Sequence, residues 1–276
     1  MGKIFRMRRL TLVLAATLVV AGCGTSHRQT VTETRTVTIA TPTTTPTATT
    51  STTVTSTVPA STTFRVYFLR DGKVAPVART VPATQAVATA ALRALTNGPS
   101  ADERRLGFTT AAPAGRDAPP VIVANGLATL PLPPNVTRPE LAQIVYTLTQ
   151  FATVHAVRSS RMLGDTPALT RARFEDLTPP ILVESPLPGQ TAASPLEVRG
   201  TANTFEATFN LEMRNSSGVP VATRFVTATS GSGERGTFDT TISFPRTGGP
   251  LTLVAYEQSA ANGKRIHVAR IPLQEG

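Results

Sequence analysis

Hydrophobic and polar positions divide the chain into stretches of different character. A basic start, Met1 to Arg9, leads into an unbroken apolar run, Leu10 to Gly22, and then into a segment of Thr, Ser, Pro and Ala with few large apolar side chains. From Phe64 the pattern becomes that of a folded protein. FRVYFLR alternates apolar and polar positions as a half-buried strand does, Asp71-Gly72-Lys73 is a hairpin signal, and VAPVARTV reads as the returning strand. ATQAVATAALRALTNGP predicts a helix with Val87, Ala91, Ala94 and Leu95 on one face. Gly98 ends it in a left-handed turn, and Pro99 cannot continue it. PVIVANGLATLPL reads as a second hairpin, turning at Asn125-Gly126. In TRPELAQIVYTLTQFATV, Thr137 and Glu140 make a capping box, and Leu141, Ile144, Val145, Leu148 and Phe151 form an apolar stripe at helical spacing. HAVRSSRML then supplies a last strand. The order strand, strand, helix, strand, strand, helix, strand predicts one sheet covered by two helices over residues 64–177. Beyond Asp176–Pro180, expected to be a linker, no helix signal remains. About seven short β-type runs, separated by Gly, Ser, Asn and Pro, predict an all-β sandwich over residues 178–276. The fold class is α+β.

The N-terminal run has too few residues for a comfortable bilayer span of about 20. It suits the core of a secretory signal, preceded as it is by Lys3, Arg6, Arg8 and Arg9. Cys23 is the only cysteine, so the chain has no internal disulfide, and a lone thiol makes no zinc site. VAGC, Val20 to Cys23, resembles a bacterial lipobox. That resemblance implies a signal peptide over 1–22, cleavage between Gly22 and Cys23, and a lipidated Cys23 holding the protein extracytoplasmically to the cell membrane. The competing reading is a plain signal or membrane helix with an incidental cysteine. Residues 23–63 bury too little apolar surface to offset ordering entropy and are expected to form a disordered stalk.

VYFL, LTNGPSADERRLGFTTAAPAG and QIVYTLTQFATV resemble the GerMN domain of bacterial sporulation, germination and envelope proteins. Leu95, Gly98, Pro99, Glu103, Gly107, Pro113 and Gly115 carry the match, with the helix Gln143 to Phe151. SPLPG, SPLEVRGTANTFEA and Gly236-x-Phe238 resemble the Gmad2 domain, an immunoglobulin-like module that frequently follows GerMN. Here the match rests on Ser185, Pro186, Gly189, Ser194, Pro195, Gly200, Ala202, Phe205 and Glu206. The pair implies a two-layer α/β domain followed by an immunoglobulin-like sandwich. It also implies no catalytic residues, no cofactor and no metal, and a role in scaffolding or modulating an envelope complex.

Chemistry beyond that is sparse. G-x-S-x-G, H-E-x-x-H, G-x-x-x-x-G-K and EF-hand patterns are all missing, and His27, His155 and His267 are scattered. Glu103, in Asp102-Glu103-Arg104-Arg105, reads either as part of a charged helical turn with local ion pairs or as a functional acid. Glu206 either holds a turn through backbone N–H groups or faces a ligand. Without residues 1–22, which hold four of the 27 basic residues and none of the 17 acids, the chain carries +6. No Trp and only 5% aromatic residues leave little for base stacking, and export with so modest a charge argues against nucleic acid. Residues 64–177 hold thirteen basic residues against eight acids, whereas 178–276 balance. Arg158, Arg161, Arg171 and Arg173 crowd the end of the first domain. They are read as a surface for acidic envelope proteins, anionic wall polymers or anionic lipid, against the plainer reading of a solvated basic face. A wall-polymer-binding module and an unrecognised hydrolase stand as alternatives to the scaffold.

Overall fold

The computed structural model describes residues 60–113, 115, 117–161 and 167–276. The expected signal peptide, the Gly22–Cys23 junction, the lipidated Cys23 and most of the stalk lie outside the described residues. The stalk was expected to run to Thr63, but β1 starts earlier, spanning Ser61–Arg70. Its first residues pair with the end of β2 (Lys73–Pro82), Ser61 opposite Pro82, and β-branched threonines suit an extended strand. The two strands stay in register down to Arg70 opposite Lys73. Asp71 and Gly72 close the hairpin with φ of 52° and 71°, the positive pair such a two-residue turn requires.

Helix α1 (Val87–Thr96) buries Ala91, Leu92 and Leu95, and Gly98 at φ 77° turns the chain away. A short α2 (Ala101–Arg105) follows, with Ser100 and Glu103 forming a reciprocal capping box. β3 (Phe108–Thr109) then joins β1. β4 (Ile122–Ala124) and β5 (Leu127–Leu130) form the hairpin at Asn125-Gly126. α3 (Arg138–Leu148) is capped by Thr137, whose Oγ1 accepts the Glu140 N–H at 3.3 Å. β6 (Ala156–Ser159) lies parallel to β5.

The one sheet expected from the sequence is instead two three-stranded sheets, β2-β1-β3 and β4-β5-β6. α3 is the reason. β3 covers only the Leu69–Arg70 end of the second edge of β1. Along the rest, side chains of α3 and the turn after it take the place of a strand. Gln143 donates to the Tyr67 carbonyl at 3.1 Å, Thr147 accepts the Tyr67 N–H at 3.1 Å, and Gln150 accepts the Arg65 N–H at 2.6 Å and donates to the Arg65 carbonyl. Spacings of four and three residues put these polar groups on one helix face, so two fully buried residues, Gln143 and Thr147, are satisfied by a backbone edge.

The second half contains β7 (Ile181–Ser185), β8 (Thr191–Ala192), β9 (Leu196–Ala202), β10 (Thr208–Arg214), β11 (Pro220–Thr227), β12 (Gly236–Ile242), β13 (Leu251–Gln258) and β14 (Arg265–Glu275). They form a β-sandwich of two sheets, β12-β9-β7 and β11-β10-β13-β14-β8, around Val198, Phe209, Leu211, Met213, Phe238 and Leu253. Gly200 is obligatory where β9 meets β7: a Cβ there would lie 2.0 Å from the Leu182 carbonyl oxygen and 2.8 Å from the Phe238 ring.

The two halves do not separate at Asp176–Pro180 as a linker would allow. All described residues fall within one compact unit. β7 belongs to both cores: Ile181 and Val183 are buried in the sandwich, while Leu182 between them is buried in the first domain with Phe174. Alternation along one strand thereby joins two cores.

Candidate partner-binding surface

Of the four arginines singled out by the sequence, the structure commits one to holding the halves together. Arg171 opens a 3-10 turn, Arg171–Leu177, and its guanidinium stacks over the rings of Tyr146 at 4.6 Å and Tyr67 at 5.4 Å. It donates to Glu184 of β7 at 2.8 Å and to Thr149 Oγ1 at 2.9 Å. The Tyr67 hydroxyl donates to the same Glu184 carboxylate. Burial alone would raise the Glu184 carboxyl, but the charge of Arg171 and the Tyr67 hydroxyl hold it below the usual range. Burial pushes the Tyr67 hydroxyl up, and Glu184 pushes it further. Arg171 is therefore an internal arginine of the seam and no part of a docking face.

A second ion pair fixes the joint. Arg235 grips Glu175 with two bonds of 2.9 Å and donates to the Pro179 carbonyl, and Asn203 donates to Glu175 at 2.9 Å. Burial would raise the Glu175 carboxyl, yet these donors hold it low. None of these partners was singled out from the sequence. Tyr67 and Glu184 lie 117 positions apart and Glu175 and Arg235 lie 60 apart, so no local pattern links them.

Arg158 on β6 and Arg161 in the following turn are exposed, and among the described residues neither side chain has an ion-pair partner. Arg173 is also exposed, on the 3-10 turn, where its carbonyl accepts from Arg138. The four arginines thus divide: three face solvent and one is enclosed.

The other candidates take structural places. Glu103 forms a two-bond ion pair with Arg79 of β2, at 2.5 and 2.6 Å, and not with its neighbours Arg104 and Arg105. Burial would raise its carboxyl, but Arg79 and the Ser100 N–H hold it low. The one local pair in that helix is Asp102–Arg105. Glu206 sits exposed at φ 52°, and its backbone N–H donates to Ser232 Oγ at 3.0 Å, so the backbone of this residue anchors the turn. His155 packs against Gly126, where a Cβ would lie 2.6 Å from its ring. His267 Nδ1 lies 2.7 Å from Glu257. On the outer face of the larger sheet, the buried Glu212 carboxylate accepts from Arg214, Arg265 and the Tyr256 hydroxyl. Among the described residues no group of three or more His, Cys, Asp or Glu is placed to hold a metal, and no helix is long and apolar enough to cross a membrane.

Residues 65–158 match Germane, described as sporulation and spore germination, and residues 180–264 match Gmad2, the immunoglobulin-like domain of bacterial spore germination. No curated protein sequence matches the chain. Among solved structures it is similar to the tandem GerMN domains of the sporulation protein GerM from Bacillus subtilis, at 14% identity and a TM-score of 0.34. The alignment covers 78% of this chain and 61% of that one. Both halves of the fold carry their own family match, in the order seen in the structure: this is a chain of the GerMN–Gmad2 family, a Germane domain followed by a Gmad2 domain.

Proposed function

We propose that this chain is an exported lipoprotein, cleaved before Cys23 and acylated on it, whose two-domain body docks onto an acidic component of the cell envelope and catalyses nothing. Two domain families described from sporulation and spore germination support such a reading. The observation that carries the docking reading is the pair Arg158 and Arg161: exposed, lacking ion pairs among the described residues, and mounted on a body whose halves are clamped together. Guanidinium groups with no internal partner retain their two-bond grip for a carboxylate or phosphate supplied by another molecule.

Cross-linking from intact membranes, followed by recovery of the full chain, tests it. Arg158→Glu with Arg161→Glu should lower partner recovery tenfold or more, about 1.4 kcal/mol. The melting temperature should stay within a few degrees, because exposed charges add little to folding stability. Unchanged recovery from a folded double mutant returns these arginines to a solvated face. Saturable binding of purified wall fragments without any protein partner would replace the scaffold by a wall-polymer-binding module. For the anchor, Cys23→Ala should leave unprocessed precursor, and unaltered processing and membrane partition would refute lipidation.

A further inference from the structure

A cleft with a cavity volume of about 270 Å³ opens where the two domains meet. It is lined by β2 of the first domain and by β7 and β14 of the second. Partly exposed Ala75, Pro180, Val268 and Ala269 give it an apolar lining. Its charged groups are unbalanced: Arg70, Lys73 and Arg270 line it against a single acid, Asp71. Two of those cations reach backbone carbonyls, Arg70 that of Arg270 at 2.9 Å and Lys73 that of Asp176. The exposed Arg270 side chain has no ion pair among the described residues.

One wall of the cleft is an open strand edge. β14 pairs with β13 along one side but meets β8 on the other side only at Gln274 and Glu275. Ile266–Ile271 therefore has no strand partner on its outer side among the described residues. Arg270 stands opposite Val254 of β13, yet its carbonyl accepts from Arg70 and so points away from β13, into the cleft. In an antiparallel ladder the N–H and C=O of one residue point to the same side, so the Arg270 N–H faces the cleft as well. The opposite wall, β2, is also an edge strand, but Pro76 has no N–H to offer there.

We infer that this cleft binds an acidic, extended peptide segment of a partner protein as an added strand on β14. The open edge supplies main-chain hydrogen bonds, the apolar lining takes alternate side chains, and the excess of cations selects acids on the remaining ones. An unprotected strand edge is a standing template for pairing; a register shift and the positive φ of His267 interrupt this one at its start, leaving Val268–Ile271 as the stretch open to an added strand. The inference does not use the Arg158–Arg161 face, so either can fail without the other.

The test titrates the full chain with three synthetic octapeptides: alternating glutamate and valine, alternating lysine and valine, and the glutamate peptide N-methylated at every second residue. The glutamate peptide should bind saturably and slow amide exchange at Arg270. The lysine and N-methylated peptides should each bind at least tenfold more weakly. Arg270→Glu should weaken the glutamate peptide tenfold or more with the thermal melt unchanged, while Arg158→Glu with Arg161→Glu leaves its affinity unchanged. No saturable binding of the glutamate peptide overturns the inference. So does equal binding of the N-methylated peptide, which would show side-chain contact without strand addition, or an undiminished affinity in a folded Arg270→Glu variant. Binding of laurate by a chain that ignores all three peptides would overturn it in favour of an acyl ligand.

Discussion

The two domains treat a bare strand edge in opposite ways. In the first, the edge of β1 at Arg65 and Tyr67 is closed from within by Gln143, Thr147 and Gln150, polar side chains buried to satisfy a backbone. In the second, the edge of β14 from Val268 to Ile271 is left facing the interdomain cleft, where Arg70 reaches the Arg270 carbonyl. A closed edge can be tested by what it costs to open, and an open one by what it accepts. Between the two lies a charged seam, Arg171–Glu184, which ties the strand edges to one frame.

The largest effect should come from removing that frame. Heat should unfold the whole body in one cooperative transition, with calorimetric and van't Hoff enthalpies in agreement. Cleavage between Asp176 and Pro180 should leave neither piece with its intact melt. The first piece loses Leu182, a buried leucine of the kind whose removal costs about 2–5 kcal/mol. Two separate transitions in the uncut chain would show that the domains are independent after all. Next, Arg171→Leu leaves Glu184 enclosed without its cation. With the pair still 25% and 15% exposed, the loss in urea unfolding should fall near the low end of a broken buried pair, about 3 kcal/mol. Gln143→Leu should cost about 2 kcal/mol, since it orphans the Tyr67 carbonyl and the Ala111 N–H. A neutral result there would mean the edge of β1 needs no closing.

The smallest effect is a pH dependence. The Glu103, Glu175 and Glu184 carboxyls are all held below the ordinary value of 4.5 in the folded protein. The stability they contribute is fully present above that value and is lost as the pH falls through their lower folded values, because the unfolded chain takes up protons first. In the Glu184→Gln variant the decline in unfolding free energy below pH 4.5 should be shallower, and an unchanged slope would remove Glu184 from the balance.

What could be read from the sequence was local. Asp71-Gly72 and Asn125-Gly126 announce hairpins because positive φ is a property of the residues in the turn, and Thr137 announces α3 because a cap reaches only three residues. The apolar stripe of α3 was visible, but Gln143 and Thr147 also lie on that buried helix and their job was not. Their partners are backbone atoms 76 and 80 positions away, which a helical period cannot indicate. The same distance hid the division of the arginines. In sequence Arg171 stands two residues from Arg173, yet folding brings it to Tyr67, 104 positions earlier. Charge counted along the chain does not say which cations the fold has already used.

The shared strand β7 has a consequence for how this molecule handles two partners at once. With Leu182 in one core and Ile181 and Val183 in the other, swinging one domain against the other would pull β7 out of a core. An acid held at Arg158 and a strand seated on β14 would stand a fixed distance apart. Any cooperation between them would then come from tethering and not from a change of shape. A bivalent partner would gain from the second contact only through the local concentration its own linker allows. The reach of that linker, set outside this chain, would decide whether the two sites act as one.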